Sequence, residues 1–125
     1  PDTYPHFYAD LQMYTTGPTQ PDPGVWMQSF LSSEVCAKAN RWQSRNITRW
    51  RNKEYDDLYA EAETELNPVK RAAMYIQMND LAVKDRAVIP IVYRPVVRAT
   101  NLKLHGSASG WDSDFFELHN WYKDA

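Results

Sequence analysis

Two helix signatures in succession, followed at once by an apolar β-branched run, narrow the possible folds more than anything else in the chain. Asn52 stands where an N-cap belongs, and Glu54, Asp56 and Asp57 suit the positive end of a helix. Tyr55, Leu58, Tyr59, Ala62 and Leu66 then fall at i, i+3, i+4, i+7 and i+11, which predicts one apolar face. Asn67 caps a second helix with Pro68 at its first position, where a missing N–H is an orphan anyway. Its apolar residues form two stripes, Val69, Ala72, Ala73, Ile76 and Met74, Met78, Leu81, and the pattern runs to about Asp85. A wide buried arc, covered on more than one side, is expected. Ala87-Val-Ile-Pro-Ile-Val-Tyr-Arg-Pro-Val-Val97 reads as a buried strand. Pro90 and Pro95 remove ladder donors from it, so a change of pairing or direction is expected near Pro95.

Upstream, Phe7 to Tyr14 alternates large apolar with small or polar side chains and predicts a strand ending near Tyr14. Thr15-Thr-Gly-Pro-Thr-Gln-Pro-Asp-Pro23 is a run of turn formers stiffened by three prolines. Asp22 and Pro23 then supply the cap and first residue of a short helix reaching about Phe30. After Leu102 the tail, with Ser109 to Phe116 and Asn120-Trp-Tyr122, reads as loops and short strands carrying aromatics. Strands interleaved with helices place the chain in the α/β class. Its 125 residues include five Trp, eight Tyr and four Phe, enough large rings to build a core and to exclude disorder. Cys36 is the single cysteine, so there is no internal disulfide. No apolar run approaches the roughly 18–20 residues that span a bilayer.

Catalytic signatures are missing from the sequence: no glycine-rich phosphate loop, Cys-x-x-Cys, His-Glu-x-x-His or Gly-x-Ser-x-Gly. The expectation is a protein that is not an enzyme, with no cofactor and no metal. His6, His105 and His119 are too scattered for a zinc site, and Asp112 and Asp114 read as solvated turn formers. Asn46-Ile-Thr48 matches a glycosylation acceptor, a frequent accidental match. From Lys38 to Lys53 there are six basic residues and no acid, with Arg41-Trp42, Arg45 and Arg49-Trp50-Arg51 interleaving cations and rings. That pattern suits single-stranded nucleic acid, yet the chain as a whole is acidic, with net charge −2. Aromatic packing with solvated arginines is the preferred account, and a small nucleic-acid-binding domain using residues 38–53 is the alternative.

The loop from Tyr14 to Trp26 carries hydroxyls (Thr15, Thr16, Thr19), an amide (Gln20) and flanking rings. A rigid polar loop leaving a strand has the makings of a wall for a small polar molecule. The same residues equally describe a tight connection with Trp26 in the core.

The order of these motifs resembles the C-terminal part of the family 5 extracellular solute-binding proteins, the oligopeptide and dipeptide binding components of ABC importers. The elements are Asp10-Leu-Gln-Met-Tyr14, Asp22-Pro23, Asn46 with Trp50-Arg-Asn-Lys-Glu-Tyr-Asp56, a helix with Lys70-Arg71, Val88-Ile-Pro-Ile-Val-Tyr93 and Ser109-Gly-Trp111. They cover nearly the whole chain. The chain begins Pro-Asp-Thr, without initiator methionine or signal peptide, which the resemblance explains as the last quarter of a longer protein. The implied fold is α/β, a C-terminal fragment of a two-lobed periplasmic-binding-protein-like fold that closes on ligand by a hinge. Residues 1–94 would belong to the second lobe, and 95–125 would hold the hinge crossing and return to the first. Asp22-Pro23, Asn52 and Asp56 would be turn and caps. Tyr14, Thr16, Thr19, Gln20 and Trp26 would face the cleft, with Tyr93 and Arg94 near the hinge.

The implied partners are a small-molecule or peptide ligand, the transmembrane subunits of an ABC permease and the remainder of the same protein, with no nucleic acid. The implied location is periplasmic or extracellular. Peptide-binding members hold the ligand's α-amino group with an acid placed before the Asp-Pro pair. Here that stretch is Thr16-Gly-Pro-Thr-Gln-Pro21, and the nearest acid is Asp22 itself. An unpaired ammonium typically costs ~3–5 kcal/mol, so a free peptide amino terminus is not expected. A neutral or anionic polyol, a sugar derivative, an opine-like compound or a blocked peptide all remain compatible.

Overall fold

Three side-chain caps organise the helical part of the chain. The computed structural model describes residues 3–18, 21–93, 95, 99–106 and 117–124. A single turn, α1 (Thr3–His6), precedes α2 (Pro23–Met27), which continues as a 3₁₀ turn over Gln28–Phe30. Asp22 Oδ1 accepts from Gly24 N at 2.7 Å and opens α2, as its sequence predicts. Asn52 Oδ1 accepts from Tyr55 N at 3.1 Å at the start of α3 (Lys53–Ala62). Asn67 Oδ1 accepts from Val69 N and Lys70 N at 3.0 and 3.3 Å at the start of α4 (Pro68–Lys84). Each bond satisfies an amide that the first helical turn leaves without a partner.

α3 and α4 form an antiparallel hairpin joined by residues 63–67. Its closed end is held by Arg71 Nε donating to Ala62 O at 3.0 Å. Its open end is held by Asp85 Oδ2, which accepts from Asn52 Nδ2 at 3.3 Å and Trp50 Nε1 at 3.2 Å. α2 and its 3₁₀ extension lie across the hairpin, and the shared core is Met27, Phe30, Tyr55, Tyr59, Ala62, Tyr75, Met78 and Ala82. Tyr55, fully buried, hydrogen-bonds Met27 O at 2.7 Å and meets Phe30 and Trp50 edge-on. Burial of one such ring contributes about 1.5–3 kcal/mol.

Residues 31–51 wrap this layer with two short 3₁₀ turns, Ser32–Glu34 and Lys38–Asn40. A parallel bridge pairs Val35 with Asn46, through Cys36 N to Asn46 O at 3.0 Å and Asn46 N to Glu34 O at 2.8 Å. A separate antiparallel pair, β1 (Leu104–His105) with β2 (Tyr122–Lys123), sets Leu104 opposite Lys123 and His105 opposite Tyr122. Gly106 lies under Trp121, where an added Cβ would come within 2.7 Å of the ring.

The structure departs from the sequence expectations in four places. Phe7–Tyr14 forms no strand, and Tyr8, Leu11 and Met13 are exposed. Residues 87–93 form no strand either, and Ile89, Ile91, Val92 and Tyr93 are exposed. Among the described residues nothing pairs with these two runs, and a strand exists only through its neighbour's hydrogen bonds. The wide buried arc of α4 is likewise narrower than expected: Tyr75, Met78 and Ala82 are buried, whereas Val69 and Ile76 face outward. α2 and α3 cover one side of α4, and no described element covers the other. Leu66 fits the period of α3 but lies beyond its end at Ala62 and is exposed. The result is a mixed α/β arrangement too small to display two lobes. The expected crossing at Pro95 adjoins residues 94 and 96–98, outside the described set.

Candidate functional site

The polar loop that ends at Asp22 is the sequence's best candidate wall, and its residues fall in three kinds of place. Tyr14 is half-buried and Thr16 exposed. Thr19, Gln20 and Arg94 lie outside the described residues, as do Ser109, Gly110, Trp111, Asp112 and Asp114. Trp26 is half-buried on α2, packed on the core with its ring 5.7 Å from Phe30 at 81°. Tyr93 is 93% exposed in the segment after α4.

At the far end of that loop is a polar cluster that sequence reading missed. Arg71 on α4 forks onto Asp22, with Nη1 to Oδ2 at 2.6 Å and Nη2 to Oδ1 at 3.2 Å. Its guanidinium lies 4.8 Å from the centroid of the Tyr75 ring, and Nη2 is 3.9 Å from Glu63 Oε1. The Arg71 hydrogen bond, then the one from Gly24 N, holds the Asp22 carboxyl below the usual carboxylate range. Both Asp22 oxygens thus accept hydrogen bonds within the chain, so this acid already serves as a cap and as the partner of Arg71. Tyr75 Oη is buried without a hydrogen-bond partner. Burial also raises the phenol pKa values of Tyr55, Tyr59 and Tyr75. Asp22 and Arg71 are 49 positions apart, and no local pattern announces such a pair.

The basic stretch uses its rings within the chain. The Trp50 ring lies 5.1 Å from Tyr55, in the helical layer. Trp42 carries the Arg49 guanidinium 5.3 Å from its centroid and the His6 ring at 4.4 Å. Arg49 also donates to His6 O, and to Cys36 O at 3.4 Å. Arg45 and Arg51 reach Val25 O and Ser32 O at 3.4 and 3.3 Å. Arg41, Arg45, Arg49 and Arg51 are exposed, in keeping with packed rings and solvated cations.

Asn46 has no surface from which to accept a glycan. It is fully buried, its Nδ2 donates to Leu31 O and Trp50 O at 2.9 Å each, and its Oδ1 accepts from Thr48 Oγ1 at 2.9 Å. The Asn-Ile-Thr match is thus a loop staple. Cys36 is fully buried with Sγ 3.1 Å from Ser44 O, and burial pushes its thiol pKa up, which makes it a poor nucleophile.

His105 Nε2 lies 2.7 Å from Asp124 Oδ2 with its ring stacked on Tyr122, a side-chain staple on the β1–β2 pair. Among the described residues no three His, Cys, Asp or Glu side chains gather as a metal site. No helix there is long and apolar enough to cross a membrane. Compared with known proteins, the chain matches no family model, no curated sequence and no solved structure.

Proposed function

We propose that this chain belongs to the substrate-binding component of an ABC importer. In this reading the protein captures a small polar solute between two lobes and delivers it to a membrane permease. What carries the reading, beside the motif order, is the exposed apolar run at Ile89, Ile91, Val92 and Tyr93, 60–93% accessible, directly after a packed helical hairpin. A β-branched run following a helix is what an α/β lobe places in its central sheet. The outward Val69 and Ile76 of α4 fit the same picture of a helical layer with further structure packed on it.

The ligand wall is assigned to Tyr14, Thr16, Thr19, Gln20 and Trp26, with Tyr93 and Arg94 near the hinge. Trp26 has one side committed to the core, so it would present only its remaining face. Ligand contacting both lobes stabilises the closed form, which is the form that docks on the permease.

Mass spectrometry of small molecules released on denaturing the full-length protein tests this reading. A single solute at near-stoichiometric amount is expected. Consistent recovery of none, from protein shown to be folded, counts against it. Calorimetry on the 125-residue chain alone should show weak or no binding of that solute, since this chain supplies only part of the cleft. The nucleic-acid alternative makes a separate demand, oligonucleotide binding that weakens steeply with salt.

A further inference from the structure

Asp22 is tied to the helical layer through its carboxylate. Asp22 caps Gly24, Pro23 fixes the backbone between them, and the carboxylate is gripped by the Arg71 fork. Arg71 is itself held on two further sides, by Ala62 O at 3.0 Å and by the face of Tyr75. One side chain therefore joins the entry to α2, the end of α3 and the first turns of α4. A lysine could supply the charge there but neither the fork nor the bond to Ala62.

We propose that Arg71 is a positioning residue of the candidate ligand wall, acting through Asp22 to set the start of α2, the helix that carries Trp26. This rests on the reading of Trp26 as part of that wall. Its test uses no ligand, so the positioning role and the wall reading stand or fall separately.

Protonation of Asp22 releases the grip. The groups facing that carboxylate are the Arg71 guanidinium and Tyr75 phenol of α4, Glu63 at the end of α3, and the Gly24 N–H. Tyr59 of α3 acts on the cluster at longer range through Tyr75. The carboxyl is held below its ordinary value, chiefly by Arg71. The grip is therefore complete above the unfolded carboxylate value of about 3.9 and is lost as pH falls through the lower folded value.

The chain contains four glycines, so selective ¹⁵N-glycine labelling gives four amide resonances, and that of Gly24 reports directly on Asp22. In the unaltered chain the Gly24 amide is expected to titrate below the ordinary carboxylate range and to be protected from exchange. Arg71→Gln should move that titration up toward about 3.9 and raise Gly24 exchange roughly tenfold, leaving Gly106 unchanged. Arg71→Lys should recover the titration in part and the protection hardly at all. Asp22→Asn, which keeps a capping oxygen, should abolish the titration and raise Gly24 exchange severalfold.

The proposal is overturned if Arg71→Gln leaves both the Gly24 midpoint and its exchange rate unaltered. It is overturned equally if Arg71→Lys restores both in full, because charge alone would then suffice. Should Arg71→Gln collapse the dispersion of all four resonances, Asp22→Asn decides: native protection at Gly24 in that variant sinks the proposal, and a loss confined to Gly24 sustains it.

Discussion

Tyr55 and Tyr93 are the same side chain in opposite surroundings, and they stand for the two halves of the molecule. Tyr55 is fully buried, bonded to Met27 O and set edge-on to two other rings. Tyr93 is 93% exposed. The layer from Asp22 to Val88 places its rings in contact with one another. The runs at 8–13 and 89–93 leave Tyr8, Leu11, Met13, Ile89, Ile91 and Val92 at least 60% accessible. Hydrophobicity alone therefore does not decide burial here. The helical layer satisfies its backbone internally and can pack its side chains locally, whereas a strand needs a second strand before its side chains can be covered.

The sharpest way to break this comparison is to cut into each half. Tyr55→Ala removes a ring from the centre of the core and should destabilise the chain by ~3–5 kcal/mol, a large part of a typical domain's stability. Tyr93→Ala should change the unfolding free energy by less than about 0.5 kcal/mol. Urea unfolding followed by far-ultraviolet circular dichroism measures both, and equal effects would remove the distinction between the halves. The same core has an alkaline weakness. Burial raises the phenol pKa values of Tyr55, Tyr59 and Tyr75, so their contribution is complete below the unfolded value of about 10 and is lost as pH rises beyond it through the raised folded values. Helical signal should fall cooperatively above that pH, and helices persisting after every phenol has ionised would contradict the burial.

What could be read from the sequence follows the range of the interactions. Asp22, Asn52 and Asn67 were legible as caps because each bonds an amide two or three positions along the chain. The inner face of α3 was legible through its period, and Leu66 misled only because Glu63 and Thr64 turn the chain before the period reaches it. The strands expected at Phe7–Tyr14 and in 87–97 depend on partners that no local pattern can supply. In the candidate site, the proline-stiffened polar loop was legible but its anchor was not, since Arg71 lies 49 positions from Asp22. Asn46 was readable as an accidental glycosylation match and as one element of the resemblance, but not as the buried side chain that bonds Leu31 O and Trp50 O.

Asn46→Ala sharpens the contrast inside the helical unit. It strands Leu31 O and Trp50 O and should cost ~1–3 kcal/mol, with the loss of protection centred on residues 31–50 in hydrogen exchange. An effect spread evenly over α3 and α4 would instead make the wrap and the hairpin one cooperative unit. Gly24→Ala probes the join between the polar loop and the helices. The added methyl would lie 2.8 Å from Tyr75 Oη and 2.9 Å from Asp22 Oδ1, so a cost of about 1–3 kcal/mol is expected although alanine favours helix. Stabilisation by this substitution would mean that the Asp22 grip yields easily.

The smallest effect on stability tests the exposed half most directly. Were residues 89–93 to pair as a strand, successive N–H groups would point to opposite edges, those of Ile89, Ile91 and Tyr93 sharing one edge while Pro90 deprives the other of a donor. Only the first edge offers an unbroken row to a pairing strand, and an uncapped apolar row of that kind invites association. Ile91, 73% exposed, lies at its middle. Ile91→Lys should therefore leave the free energy of unfolding in urea within about 0.5 kcal/mol of the unaltered chain while reducing self-association in sedimentation velocity, because a charge on an edge strand opposes pairing without touching the core. A drop in the midpoint as large as that of Asn46→Ala would show that 89–93 is already part of the packed unit, and the two halves would have to be drawn as one.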